Sequence, residues 1–570
     1  MSSDFQVVGT NAAAQFTLKL HRGEGMLLLA MNWRNGKPSR NFVGFAIEYR
    51  EPNGVKFFQL KNRLAFKGVD GTINPEALST MKSPIQKFRW VHFPRNAHLP
   101  GAFTYKVTPV FMDDAGTLTY GVAQEANIEL MSETYPGELN VAFTRGFVSS
   151  QAFVDQYQKD GPISSLLPSK AAEGLDFTPT HPKADEAFAW MGFEARTAIL
   201  DVLDKAVNDE HATVRVIAYD LNLPEIVERL EKLGSRLQII IDNSKDHGGK
   251  ESAETAAESR LKQSAGDENV KRQHVGNLQH NKSIVVDSPE HKLVVCGSTN
   301  FSWRGFYVQS NNALIFSGEK AVSAFHAAFE QYWNHPAGEF GESVSASQAV
   351  IDLASLKPLV AFSPHSASNA QLELVANDMR TGTSSSMLFS LAFIYQTGGA
   401  VRDAVKALVE DNEIFVYGIS DQKVGGLDIQ QTNGNMAPVY PAALTQHVPE
   451  PFKAEVTGGS GVRMHHKFVV IDFDKPTARV YTGSYNFSGP ADTENGENLL
   501  LIKDRRVATA YMVEALRIFD HYRFRVAQLD AATAQKELTL QRSPQSEAEK
   551  PWWLEDYENP RKVKDRELFA

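Results

Sequence analysis

The chain has 570 residues, 42% hydrophobic and 22% charged, with a formal net charge of −10 and one cysteine, Cys296. That length supplies about three hydrophobic cores; the acidic balance speaks against indiscriminate nucleic-acid binding, which needs clustered Lys and Arg; and a lone cysteine excludes an internal disulfide. Met1 to Gln6 show neither a basic n-region nor an apolar h-region, and no run of about 18 apolar residues suggests a membrane span, so a cytoplasmic protein is expected, with signal-less secretion the other route.

Residues 1–150 read as an all-β sandwich domain. Alternating runs at 16–20, 26–33, 42–49, 55–60, 88–93 and 103–111 are divided by turn clusters, and Asp113-Asp114-Ala115-Gly116 is a hairpin signal. The pattern is faintly similar to a fibronectin type III module. Residues 151–185, rich in Gly, Pro and Ser, read as a linker.

An α/β alternation follows. Helical spacing over 188–206, a strand over 213–221, a helix over 224–234 closed by Gly234 and a strand over 236–242 precede the first motif described below. Strand 387–395, helix 399–411 and strand 413–419 repeat that order before the second. The duplication predicts two halves, 186–345 and 346–535, with a helix from 505 to 524 and a polar tail over 536–570. The interleaved charges from Lys245 to Lys282 read as a solvated helical face. Trp303, Phe306, Tyr307, Trp552 and Trp553 are expected to close cores. The Gly- and Pro-rich stretch 422–462 is expected to shape the entrance to a site.

The two motifs carry the chemistry. His280-Asn281-Lys282 with Asp287, and His465-His466-Lys467 with Asp472, both fit H-x-K-x-x-x-x-D; the tails are Gly297-Ser298-Thr299-Asn300 and Gly483-Ser484-Tyr485-Asn486. The apolar runs 283–286 and 468–471 read as strands, so His280 and Lys282 share a face, as do His465 and Lys467. Two imidazole–ammonium pairs provide histidines that exchange nucleophile and acid roles, with lysines and asparagines to hold phosphate oxygens, so a phosphodiester is the natural substrate. Asp287 and Asp472 stand five residues beyond their lysines; they remain candidate site residues, with a structural role the favoured one. His466 faces the opposite side of its strand and is expected to be packed.

Both motifs with both tails resemble the phospholipase D superfamily, over roughly residues 188–532. The resemblance implies an α/β fold of two α/β/α sandwich halves with pseudo-twofold symmetry, an active site along their seam, and two-step displacement through a phosphohistidine. It implies catalytic roles for His280, Lys282, Asn300, His465, Lys467 and Asn486, substrate binding by Ser298 and Ser484, and no cofactor or metal, since the lysines supply positive charge. Asn495-Gly496-Glu497-Asn498 is similar to the N-x-E-N ending of the small bacterial nuclease branch, whose glutamate orients the motif histidine; the first copy has Gln309-Ser310-Asn311-Asn312. The expectation is Glu497 behind His465 and Asn311 behind His280, with His465 as the nucleophile. The implied substrate is a phospholipid whose head group is hydrolysed or transferred, with peripheral membrane contact. A metal-independent nuclease acting on DNA or RNA comes second and a non-catalytic binding protein third. With both copies in one chain, the site needs no oligomer.

Overall fold

Period-2 burial builds the N-terminal unit. A computed structural model describes residues 4–68, 78–131, 133–146, 151–334, 339–394, 399–420, 464–533, 535 and 537–570. Gln6–Val8, Phe16–Arg22, Leu27–Trp33 and Arg89–His92 form one sheet; Phe58–Gln59, Phe42–Arg50, Ala102–Met112, Leu118–Tyr120 and Gln124–Glu129 form another. Along the second strand Phe16, Leu18 and Leu20 are buried, and they share a core with Phe42, Phe45, Phe103 and Tyr105 of the facing sheet. Two antiparallel sheets around one core make a β-sandwich. The predicted hairpin is present, with Val110 opposite Tyr120 and Gly116 at φ +85°, where a side chain would be strained.

Three segments depart from the sequence reading. Leu139–Phe143, expected in the N-terminal domain, pairs antiparallel with Asn312–Ser317 and becomes an edge strand of the sheet of the first half. Its pairing partner lies far along the chain, where local pattern gives no hint. The linker is a packed segment: helix Gln151–Tyr157 and the turns around it bury Phe153, Tyr157, Ile163, Leu166 and Leu175 against the first half. The polar tail ends in helices Glu555–Glu558 and Pro560–Phe569, with Trp553 in the sandwich core and Phe569 against Phe415 and Phe473 of the second half. A few large apolar side chains anchor these stretches although their average composition is polar.

Each half is a seven-stranded mixed sheet. The first runs Leu139–Phe143, Asn312–Ser317, Lys292–Gly297, Lys282–Asp287, Thr213–Ala218, Leu237–Asp242, Val270–Gln273; the second runs Ala349–Val350, Leu359–Ser363, Glu497–Ile502, Arg479–Gly483, Lys467–Ile471, Ser386–Leu391, Phe415–Ile419. Registers match between the copies. Lys282 lies opposite Ala218, and Lys467 opposite Leu391.

Helices Ala184–Asn208, Pro224–Leu233 and Ala253–Ala265 cover the outer face of the first sheet, and Leu372–Gly382 and Ala400–Glu410 that of the second. Of the interleaved charges of the 245–282 region, Glu258, Arg260 and Lys262 lie on the helix Ala253–Ala265, whereas Lys271 and Arg272 lie on the strand Val270–Gln273 and Glu254 is buried; Glu258 pairs with Lys262 and Arg272. The inner faces of both sheets join one core, in which Val285, Cys296 and Leu314 meet Phe468, Val480 and Leu500 together with the helix Arg505–Thr533. Asn312 Nδ2 donates to Thr482 across the seam, and Asn498 Nδ2 to Asn281, at 3.0 and 2.9 Å. The expected entrance loop, 422–462, lies outside the described residues. No helix among the described residues is long and apolar enough to cross a membrane.

Candidate active site

Strand polarity places the motif histidines at the seam. His280 precedes the strand Lys282–Asp287, whose start lies beside the carboxyl end of Thr213–Ala218; His465 precedes Lys467–Ile471 beside the end of Ser386–Leu391. Parallel bridges between Gln279 and Gly496, and between Ser310 and Met464, bring these corners together. The rings of His280 and His465 are 6.3 Å apart between centroids, at 68°. Both residues are 4% exposed.

The orienting partners cross the seam, reversing the expected pairing. Glu497 Oε2, in the second half, stands 2.7 Å from His280 Nδ1, and Asn311 Oδ1, in the first, stands 2.9 Å from His465 Nδ1. The tail strand of each half faces the histidine corner of the other, so a tail serves the copy it does not follow in sequence. His465 Nδ1 also faces the Ser298 carbonyl at 3.1 Å. Two carbonyl oxygens fix a proton on that nitrogen, and Asn311 is itself fixed because its Nδ2 donates to the Gly305 carbonyl.

Ser298 and Ser484 do not reach the cleft. The Ser298 hydroxyl donates to Asn311 and Asn312, the Ser484 hydroxyl bonds Glu497 and accepts from the Asn498 backbone, and both residues are fully buried. They hold the groups behind the histidines rather than a substrate. Asp287 and Asp472 also lie away from the site, at the far ends of their strands. Asp287 pairs with Lys292, and Asp472 accepts from the backbone N–H groups of Ser384, Ser385 and Ser386. His466 is buried on the other face, bonded to Glu514 at 2.9 Å.

The lysines flank the rings. Lys467 Nζ is 3.0 Å from His465 Nε2, Lys282 Nζ donates to the His280 carbonyl, and the two ammoniums lie over the rings of Phe393 and Tyr219. Burial pulls Lys282 down to about 7 and Lys467 well below the lysine range. Burial, reinforced by the lysine charges, likewise holds both imidazoles well below the usual histidine range. Burial pushes Glu497 up to about 8, with Lys282 pulling against it. Asn300 and Asn486 each keep a buried Oδ1 without a hydrogen-bond partner among the described residues.

The first half adds an unpredicted chain of charges. Asp220 accepts from Asn300 Nδ2 at 2.7 Å and lies 3.0 Å from His247 Nε2; His247 Nδ1 lies 2.8 Å from Asp242, which accepts the Gln279 backbone N–H. Although burial disfavours its charge, His247 is raised to about 10 by the hydrogen bonds to Asp220 and Asp242. Tyr219 packs between His247 and His280, 4.5 Å from each ring. Asp220, His247 and Glu254 bring ligand atoms within 4.8 Å of one another, yet both ring nitrogens of His247 already face carboxylates. A metal would have to displace that proton. The signal for these residues was positional: Tyr219, Asp220 and Asp242 sit at carboxyl ends of strands, where α/β sheets gather ligand sites.

A cleft of about 840 Å³ opens here, lined by His465, Asn300, Tyr219, Trp303 and Arg304. The arrangement supplies two imidazoles with opposed Nδ1 anchors, two lysines and two amides, all partly or wholly withdrawn from water. In such a site, charge on a tetrahedral oxyanion is stabilised more strongly than in bulk solvent.

Comparison with known proteins gives the following. A family model described as cardiolipin synthase, phospholipase D-like domain, matches residues 199–333 and 383–519. The phospholipase D of Rickettsia prowazekii is 46% identical over 48 residues, 8% of this chain and 22% of that protein; that of Rickettsia felis is 44% identical over the same length and shares. The match thus spans about a fifth of the length of these curated relatives. Among solved structures, Nuc from Salmonella typhimurium, a phospholipase D family member, is 27% identical with a TM-score of 0.21, covering 25% of this chain and 88% of that one. The phosphatidylserine synthase of Haemophilus influenzae is 15% identical with a TM-score of 0.40, covering 60% and 92%.

Proposed function

The chain belongs to the phospholipase D superfamily, carrying its two repeats in one polypeptide, and from that premise we propose that it is a phosphodiesterase in which His280 is the nucleophile and His465 the acid. The observation that carries this reading is the pair of rings 6.3 Å apart, one backed by a carboxylate and the other by an amide. A carboxylate on Nδ1 raises the basicity of Nε2 and stabilises the positive charge that forms on attack. An amide oxygen stabilises that charge less, which suits a ring that must surrender its proton.

In the first step His280 Nε2 bonds to phosphorus, the bond to the departing alcohol oxygen breaks, and His465 transfers its Nε2 proton to that oxygen. In the second, His465 takes a proton from water, the resulting oxygen attacks phosphorus, and the bond to His280 breaks. Lys282, Lys467, Asn300 and Asn486 stabilise the non-bridging oxygens, each contributing ~3 kcal/mol by analogy with oxyanion-hole donors.

The favoured substrate is a phospholipid, with the head group as leaving group and the protein meeting the membrane peripherally. Among the described residues, the cleft wall carries Asp220, Asp246, Glu251 and Glu254 against Lys250, Arg304 and the charged His247, a small excess of carboxylate that opposes a long polyanion. A nuclease acting on DNA or RNA is the second reading. Purified protein assayed side by side on phosphatidylcholine, cardiolipin, single-stranded DNA and RNA decides between them. Head-group release without strand cutting is expected; strand cutting alone overturns the lipid assignment.

A further inference from the structure

A second concave site lies where the N-terminal sandwich, the helix Arg505–Thr533, the C-terminal helices and the second catalytic half meet. It encloses about 390 Å³ and shares no lining residue with the catalytic cleft. Among the described residues, its wall carries six cationic side chains and three carboxylates, an excess of three positive charges.

The pairing pattern shows where that excess sits. Arg89 binds both Asp520 and Asp565, at 2.5 and 2.6 Å, while Lys562 and Arg566 have Glu555 and Glu567. Lys87 reaches Asp520 at 4.0 Å. Arg523 and Arg561 form no close ion pair with a described residue, although Asp520 lies near Arg523 and Asp565 near Arg561, whose guanidinium also hydrogen-bonds Tyr417. Arg561 is 7% exposed, stacks over Tyr417 at 5.2 Å, and keeps Nη2 buried with no hydrogen-bond partner among the described residues.

Burial, together with the nearby charge of Arg523, holds the Arg561 guanidinium below its usual range. A buried donor without an acceptor is costly, and two guanidiniums converging on one space present the planar N–H forks that phosphate oxygens accept. Phe88, Phe524 and Trp552 supply an apolar flank, and the volume falls in the range of small-molecule sites.

We propose that this cavity is a second ligand site, distinct from the catalytic centre, which binds the dianionic phosphate of a phosphate monoester through Arg523, Arg561 and Lys87. Its position makes the ligand a tie between the sandwich and the second catalytic half. Free phosphorylated metabolites and phosphatidic acid head groups share this chemistry.

Isothermal titration of the full chain with inorganic phosphate tests the site, with Arg523→Gln and Arg561→Gln alongside. Phosphate is expected to bind the unmodified chain, and either substitution is expected to weaken that binding about fivefold or more. The two variants are expected to leave phosphate inhibition of aryl phosphodiester hydrolysis unchanged, which separates this site from the catalytic cleft. Arg523 is exposed, so its variant keeps the test valid even where Arg561→Gln fails to fold. Identical isotherms for the unmodified chain and Arg523→Gln overturn the proposal, as does binding that the aryl phosphodiester displaces completely. A soluble short-chain phosphatidic acid identifies the source: tighter binding than phosphate, lost in the same variants, assigns a lipid head group, and equal or weaker binding assigns a free metabolite.

Discussion

Glu497 and His280, 217 residues apart, meet at 2.7 Å across the seam, so the one carboxylate among the two orienting groups serves the first histidine. Asn311 gives His465 a neutral partner at 2.9 Å. Glu497→Gln is therefore expected to lower kcat on the order of 10²-fold or more, and Asn311→Ala roughly 10-fold. Steady-state kinetics on an aryl phosphodiester compares them, and equal losses would show that the asymmetry has no catalytic weight.

The two histidines are expected to fail differently once the leaving group is changed. With p-nitrophenolate, which departs without help, His465→Ala should still be phosphorylated and should accumulate label on His280. His280→Ala should take no label at all. With a poor alcohol leaving group both variants should lose nearly all activity, and the double variant little more, because the residues act as one unit. Peptide mapping of the trapped phosphohistidine reads the outcome, and label on His465 reverses the assignment.

The pH profile should be bell-shaped. Burial lowers both imidazoles, so the protonated acid needed for catalysis exists only below the ordinary histidine range. Lys282, brought down to about 7, loses its charge as pH rises through that value and removes phosphate binding on the alkaline side. The maximum in kcat/KM is expected where His465 still holds its proton while the Glu497–His280 pair has lost one; a flat profile from pH 5 to 8 contradicts the paired-histidine mechanism.

His247 should matter through Asn300. Held charged to about pH 10, it fixes Asp220, which fixes the Asn300 amide. His247→Gln is expected to lower kcat about 10-fold with a smaller change in KM, and to destabilise the fold by about 3 kcal/mol, since Asp242 loses its cationic partner in the core. Kinetics and denaturant titration together check this. A stability loss with kcat intact would confine His247 to folding.

The motif aspartates should separate cleanly from catalysis. Asp472→Ala leaves the backbone donors of Ser384, Ser385 and Ser386 without their acceptor and is expected to cost about 2–3 kcal/mol. Asp287→Ala breaks a half-exposed pair with Lys292 and should cost under ~1 kcal/mol. In both, kcat of the folded protein should stay near that of the parent chain.

Much of the catalytic layout was legible because it is written in short range. Spacing two residues apart on a strand puts His280 beside Lys282, and the repeat of that phrase predicts two halves. What stayed hidden depends on contacts between distant segments. Nothing in the order of Asn495 to Asn498 says that Glu497 reaches over the seam, and nothing near Ser298 says that its hydroxyl is taken by Asn311. Asp220 and His247 belong to no repeated phrase, and their partnership exists only once the strands Thr213–Ala218 and Leu237–Asp242 have paired. The packed stretch 151–185 and the C-terminal helices escaped because a few anchors, such as Phe153, Trp553 and Phe569, hold otherwise polar chain.

Trp553 fills the core between sheets whose last strand ends at Glu129. On the ribosome, the sandwich is thus completed by an indole made after both catalytic halves, and it must wait with an unfilled interior until they have been synthesised. The order of synthesis and the order of final locking are opposed, so loss of the segment around Trp553 strikes strands translated before either catalytic half.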